Sequence, residues 1–149
     1  MPTRRDLLAA AAALPPVLAE TQTHLFSTAE LTLIRDLADT IIPRTDTPGA
    51  ADARVELHID QAMKSRPATE VAGFRRGLKA AAAALKKGKS HAALLTELST
   101  AQSPFFKQLK DLTIDGYYTS KEGLAGELGW HGYTAQAEFK GCTHKEHQS

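Results

Sequence analysis

The side chains best suited to chemistry lie near the end of the 149-residue chain. Cys142, His144 and His147, with His131 upstream, offer a thiolate and imidazoles, donors of the kind zinc takes. Their spacing is not that of a zinc finger or a closed structural site, and a terminal segment must dock before it can hold an ion. Cys142 is also the sole cysteine, so no internal disulfide forms; it is either an inert free thiol or paired with a cysteine of another chain. Asp111 and Asp115 stand four apart on a helix face, the pattern of a solvated pair near a helix end rather than of an acid–base dyad. His24, His58 and His91 are scattered and read as surface or helix-packed histidines.

The usual constellations are missing from the sequence. No GxGxxG follows a strand, and there is no Walker loop, GxSxG elbow or HExxH. Without CxxCH no c-type haem attaches, and one cysteine cannot hold an iron–sulfur cluster. No residue of this chain is therefore assigned as catalytic or as cofactor-binding.

The first twenty residues, MPTRRDLLAAAAALPPVLAE, have a different purpose. Arg4 and Arg5 form a positive start, Leu7, Leu8 and the alanines a short apolar run, and Val17-Leu18-Ala19 a small-residue cleavage site. This is the order of an export signal, and the adjacent arginines point to the twin-arginine subtype rather than the general secretory one. The apolar run is shorter than the roughly 20 residues a membrane span needs, and Pro15 and Pro16 interrupt it. A retained signal would act as a weak membrane tether. The expected location is the periplasm. Removing residues 1–19 takes basic residues from 18 to 16 and acidic ones from 17 to 16, which predicts a neutral mature chain with no basic field for nucleic acid or an anionic membrane.

The elements that must position these groups are helical. Ser27 and Glu30 make a capping-box pattern, and Leu31, Ile34, Leu37 and Ile41 recur at helical spacing until Pro43. After the turn PRTDTPGA, a helix is expected from Ala51 to Lys64, with Val55, Ile59 and Met63 in step. A third is expected from Ala68 to Lys87, its stripe running Val71, Phe74, Leu78, Ala81 and Leu85, with Gly88 at its end. Ser90 can cap a short fourth, and Ser103-Pro104 can open a fifth with Phe105, Leu109 and Leu112 on its apolar face. The fold class is all-α, a small bundle of four or five helices. The organisation is a signal over 1–19, a linker over 20–26, a helical domain over 27–116 and an irregular tail over 117–149. That tail holds five glycines from Gly123 to Gly141, just after Gly116, together with Tyr117, Tyr118, Trp130, Tyr133 and Phe139. It either lies on a partner or folds back over its own bundle.

The stretch DTIIPRTDTPGAADARVELHIDQ resembles the signature of the gluconate 2-dehydrogenase subunit 3 family. The matching residues are Ile41-Ile42-Pro43, Pro48-Gly49-Ala50, Val55 and Ile59-Asp60, supported by the twin-arginine start and the run FFKQLKDLTIDGYYTS. Where many members carry Tyr-Gly-Gly-Asn, this chain reads Glu122-Gly123-Leu124-Ala125-Gly126, which sets it in a side branch and leaves the substrate open. The resemblance implies a small subunit of an exported dehydrogenase. Its large subunit would hold FAD in a glucose–methanol–choline type fold and act on sugars, sugar acids or alcohols. A cytochrome c subunit carrying haem c would take the electrons onward. The small subunit would carry the twin-arginine address for both chains, so the cofactor folded before export would sit in the partner. On this reading Tyr117, Tyr118, Trp130 and Tyr133 pack on the flavin subunit, and Cys142 forms an intersubunit disulfide. The alternative is a stand-alone periplasmic helical protein that binds a metal through Cys142, His144 and His147.

Overall fold

The computed structural model describes residues 23–130 and residue 132. These residues form an all-α bundle of five α-helices followed by a π-helical turn. The helices are α1 (Thr28–Ile41), α2 (Val55–Lys64), α3 (Ala68–Lys86), α4 (His91–Thr100) and α5 (Pro104–Tyr118), and the π-helix covers Glu122–Glu127.

Each boundary follows from local chemistry. Ser27 Oγ accepts the Glu30 N–H at 3.3 Å while Glu30 Oε2 accepts the Ser27 N–H at 2.9 Å, so both halves of the capping box form. Ser90 Oγ accepts from Ala93 N–H at the head of α4, and Pro104 occupies the first turn of α5. The third helix closes at Gly88, whose φ of 90° is open to glycine and strained for other residues. Helix α2 starts four residues later than its sequence pattern predicts. Residues Ala50 to Arg54 are taken up in turns, and Arg54 sits in the left-handed region at φ 52° just before the helix.

Helix α5 is the middle of the bundle, packing on all four other helices; α2 packs chiefly on α5 and α1, and α3 packs on α1, α4 and α5. Ile34 and Leu37 of α1, Val55, Ile59 and Met63 of α2, Phe74 and Leu78 of α3, and Leu109 of α5 are fully buried. Three phenylalanines link the layers: Phe26 to Phe74 at 5.6 Å between ring centres, and Phe74 to Phe105 at 5.2 Å. The Phe105 ring reaches α3 because Gly77 has no Cβ; one placed there would lie 2.3 Å from the ring. The fifth helix runs through Gly116 to Tyr118, two residues past the expected end of the helical domain, and the chain then stays helical in the wider π form.

Candidate partner interface

Two features build one end of the molecule: the turn between α1 and α2, and the end of α5 with the π-helix. Within the turn, Ala50 N–H donates to Ile42 O at 2.9 Å and Val55 N–H donates to Ala50 O at 3.2 Å. Asp52 accepts from Gly49 N–H at 2.8 Å and from Arg44 Nε at 2.8 Å, and Asp39 Oδ1 accepts from Ala51 N–H at 3.3 Å. The Arg44 hydrogen bond, followed by the Gly49 N–H, holds the Asp52 carboxyl below the usual carboxylate range.

Tyr117 joins the two features. It is completely buried, and its hydroxyl donates to Pro48 O at 2.6 Å across 69 residues of sequence. Tyr118 stands edge-on to it at 5.1 Å and donates to Glu127 Oε1 at 2.8 Å; that bond pushes the Tyr118 hydroxyl up from its ordinary value. Gly123 explains the π-helix: a Cβ there would lie 2.2 Å from the Tyr117 carbonyl oxygen, so only glycine lets this turn close over α5. The turn is locked by Leu128 N–H donating to Gly123 O at 3.1 Å and Trp130 N–H donating to Leu124 O at 2.8 Å.

What this frame displays is apolar. Leu128 is 59% exposed, Trp130 43% and Ile114 41%, the three exposed large hydrophobic residues among those described. A groove of about 440 Å³ is lined by Lys121, Leu124, Ala125, Trp130 and Gly132. Of the three, Trp130 lines this groove together with Leu124 and Ala125, and tryptophan is a frequent anchor at binding surfaces.

The expected site residues divide accordingly. Trp130 is on the surface and Tyr118 is half-buried at its edge. Tyr117 is corrected: it is a core residue, because its ring fills the α5–turn junction and its hydroxyl is spent on Pro48. Leu128 and Ile114 were missed; the signal for Leu128 was a large aliphatic between two glycines near the only tryptophan. Arg4, Arg5, Leu7, Leu8, His131, Tyr133, Cys142, His144 and His147 lie outside the described residues. Among the described residues no three His, Cys, Asp or Glu side chains group closely enough to hold a metal. Asp111 pairs with Lys107 at 3.4 Å and Asp115 with His58 Nε2 at 3.1 Å, so the two aspartates have separate partners.

A family model described as gluconate 2-dehydrogenase subunit 3 matches residues 28–133. The chain belongs to this family. No curated protein and no solved structure matches it. The family is one of dehydrogenase subunits, so the chain is an accessory subunit of a multi-subunit dehydrogenase complex. The geometry also explains what its gluconate 2-dehydrogenase subunit 3 signature does. Ile42 and Ala50 close the turn, Pro48 receives Tyr117, Val55 starts α2, and Asp60 fixes the segment ahead of α1. Asp60 is only 2% exposed and accepts from Phe26 N–H at 2.9 Å, with Lys64 Nζ and His24 Nδ1 each at 3.2 Å. Burial alone would raise its pKa; the Phe26, Lys64 and His24 contacts outweigh it and hold the carboxyl below its ordinary value. The residues of the signature thus shape the frame, while Leu128 and Trp130 lie in the stretch after Glu122.

Proposed function

We propose that this chain is the non-catalytic small subunit of an exported FAD-dependent dehydrogenase of the glucose–methanol–choline type. It escorts the folded large subunit through the twin-arginine translocase and stabilises it in the periplasm. The large subunit acts on a sugar, sugar acid or alcohol and passes electrons to a haem c subunit. The observation that carries this reading is the match to a dehydrogenase-subunit family, in a chain whose first residues have the order expected of an export signal. The exposed Leu128 and Trp130, with the apolar groove that Trp130 lines, support it, since a subunit must bury apolar area on its partner. Tyr118 supports that surface from its edge, and Tyr133 and Cys142 extend it in sequence.

The test is to purify the tagged chain from the periplasm of its native cell and measure flavin absorbance and the masses that accompany it. A yellow flavoprotein that co-purifies, and stays in the cytoplasm when Arg4 and Arg5 are both changed to Lys, supports the reading. A colourless protein recovered alone overturns it. A large-subunit band linked to this chain only under non-reducing conditions assigns Cys142 to an intersubunit disulfide.

A further inference from the structure

The groove of about 440 Å³ at the π-helical end has three apolar side chains in its walls, Leu124, Ala125 and Trp130, and one ionisable residue, Lys121. Lys121 is exposed and makes no ion pair among the described residues. The acids nearest to it in sequence do not answer it. Glu127 accepts the Tyr118 hydroxyl at 2.8 Å, and neither Glu122 nor Glu127 lines the groove. The groove beside α3 differs in this respect, because its Lys64, Arg66 and Arg75 pair with Asp60, Glu70 and Glu30. Lys121 thus sets an uncompensated positive charge beside an apolar surface.

The walls are set before anything binds. Leu124 N–H donates to Ser120 O at 3.0 Å and Trp130 N–H donates to Leu124 O at 2.8 Å, which ties the two larger apolar residues together through the backbone. Ser120 Oγ accepts from Gly123 N–H at 3.1 Å at the head of the π-helix. Gly126 seats the π-helix on the α1–α2 turn, since a Cβ there would lie 3.0 Å from Pro48 Cδ. Gly132 brings no side chain, and nothing lies within 4 Å of where a Cβ would stand, so the groove is open on that side. Fixed walls spare the ordering cost of binding. The volume lies toward the small end of the range for ligand sites, enough for one or two side chains and too little for a helix.

We propose that this groove takes an apolar side chain with a neighbouring carboxylate, presented by the flavoprotein large subunit. The hydrocarbon lies against Leu124, Ala125 and Trp130, and the acid pairs with Lys121. This occupant rests on the subunit reading above and adds to it what the partner must present. Charge complementarity selects the acid. A lysine or arginine of the partner would meet Lys121 as a like charge, which is unfavourable at an interface. An apolar side chain alone would exclude water around the ammonium and supply no counter-charge. A free carboxylate amphiphile is the competing occupant, and the partner's recovery separates the two.

The experiment uses the full-length chain, whose sole tryptophan lines the groove and reports its occupancy by fluorescence. The probes are hexanoate, hexanol and hexylammonium, which share one tail and differ in charge, titrated at constant ionic strength. Hexanoate should half-saturate the Trp130 signal at the lowest concentration, up to about fivefold below hexanol, and hexylammonium at the highest. Lys121→Gln should remove the difference between hexanoate and hexanol, and Lys110→Gln, at an exposed position of α5 away from the groove, should keep it. In the native cell, Lys121→Glu should lower the flavoprotein that co-purifies at low salt more than Lys110→Glu does, and the gap should narrow as salt rises. An equal response to the three probes, or a hexanoate preference that survives Lys121→Gln, overturns the proposal. A Lys121-dependent preference with unaltered flavoprotein recovery in Lys121→Glu also overturns it, because the groove then takes a free amphiphile. A colourless protein recovered alone strikes the subunit reading and this occupant with it, whereas loss of the hexanoate preference beside a yellow co-purified flavoprotein strikes this inference only.

Discussion

The described fold is held at its two ends in different ways. Before α1, the segment His24–Phe26 is pinned by charge: a buried Asp60 carboxylate receives Phe26 N–H, Lys64 and His24, and Arg75 covers the Phe26 ring. After α5, the π-helix is pinned by shape: Gly123 sits on the Tyr117 backbone and Tyr117 fills the junction with Pro48. Charge can be titrated and screened; close packing cannot. The first end therefore responds to solution conditions; the second, whose carboxylate contact is the exposed Tyr118–Glu127 hydrogen bond, should respond mainly to changes of volume or to a partner.

The largest expected effect tests the charged end. Asp60→Ala leaves the Phe26 N–H and Lys64 without their acceptor and should destabilise the domain by about 2–3 kcal/mol, measured by urea unfolding. The value falls below that of a fully buried pair because Lys64 and His24 keep access to water. The same carboxylate sets a pH dependence. Its folded-state pKa is depressed, so its stabilisation is complete above the unfolded value of about 4 and is lost as pH falls through the lower folded-state value. Stability of the wild type should drop in that acid window, and Asp60→Asn should flatten the drop. An equal drop in both would place the acid sensitivity elsewhere.

How much of this was legible in the sequence follows the same division. The helices were, because periodic apolar residues, Ser27, Ser90, Pro104 and Gly88 act locally, and their periods and caps are read within a few residues. The start of α2 was not: Ala51 to Arg54 have ordinary helix formers, and it is the long-range set of Asp39, Arg44 and Tyr117 contacts that bends them into a turn. Tyr117 and Tyr118 looked equivalent as neighbours in an aromatic-rich run. Only the side of α5 on which each falls separates a core residue from a half-buried one. The π-helix was hidden for a related reason, since a glycine-rich stretch reads as irregular until Gly123 is seen against the Tyr117 carbonyl.

The packed end is tested by volume. Gly123→Ala places a methyl against the backbone of Tyr117 and should cost about 1–3 kcal/mol locally, freeing the π-helix more than it unfolds the bundle. Amide exchange should accelerate over residues 122–130 with little change in α1 to α4. Trp130→Ala separates display from frame: it should weaken the complex with the proposed flavoprotein partner by about 2 kcal/mol in titration calorimetry and leave the thermal midpoint of the isolated chain unchanged. A lowered midpoint with unaltered affinity would mean that Trp130 serves its own bundle.

The smallest effect gives the finest test, because it changes one atom. Tyr117→Phe keeps the ring that fills the junction and removes the hydroxyl that donates to Pro48 O. A part-buried carbonyl then loses its partner, at a cost of about 1 kcal/mol, read as a lower urea midpoint with the same denaturant slope. If this end is held by shape, affinity for the flavoprotein should scarcely change, since Leu128 and Trp130 keep their frame. A loss of affinity as large as that of Trp130→Ala would show instead that the single bond from α5 to the α1–α2 turn orients the display. The contrast between a charge-held and a shape-held end would then give way to two ends each secured by a polar contact.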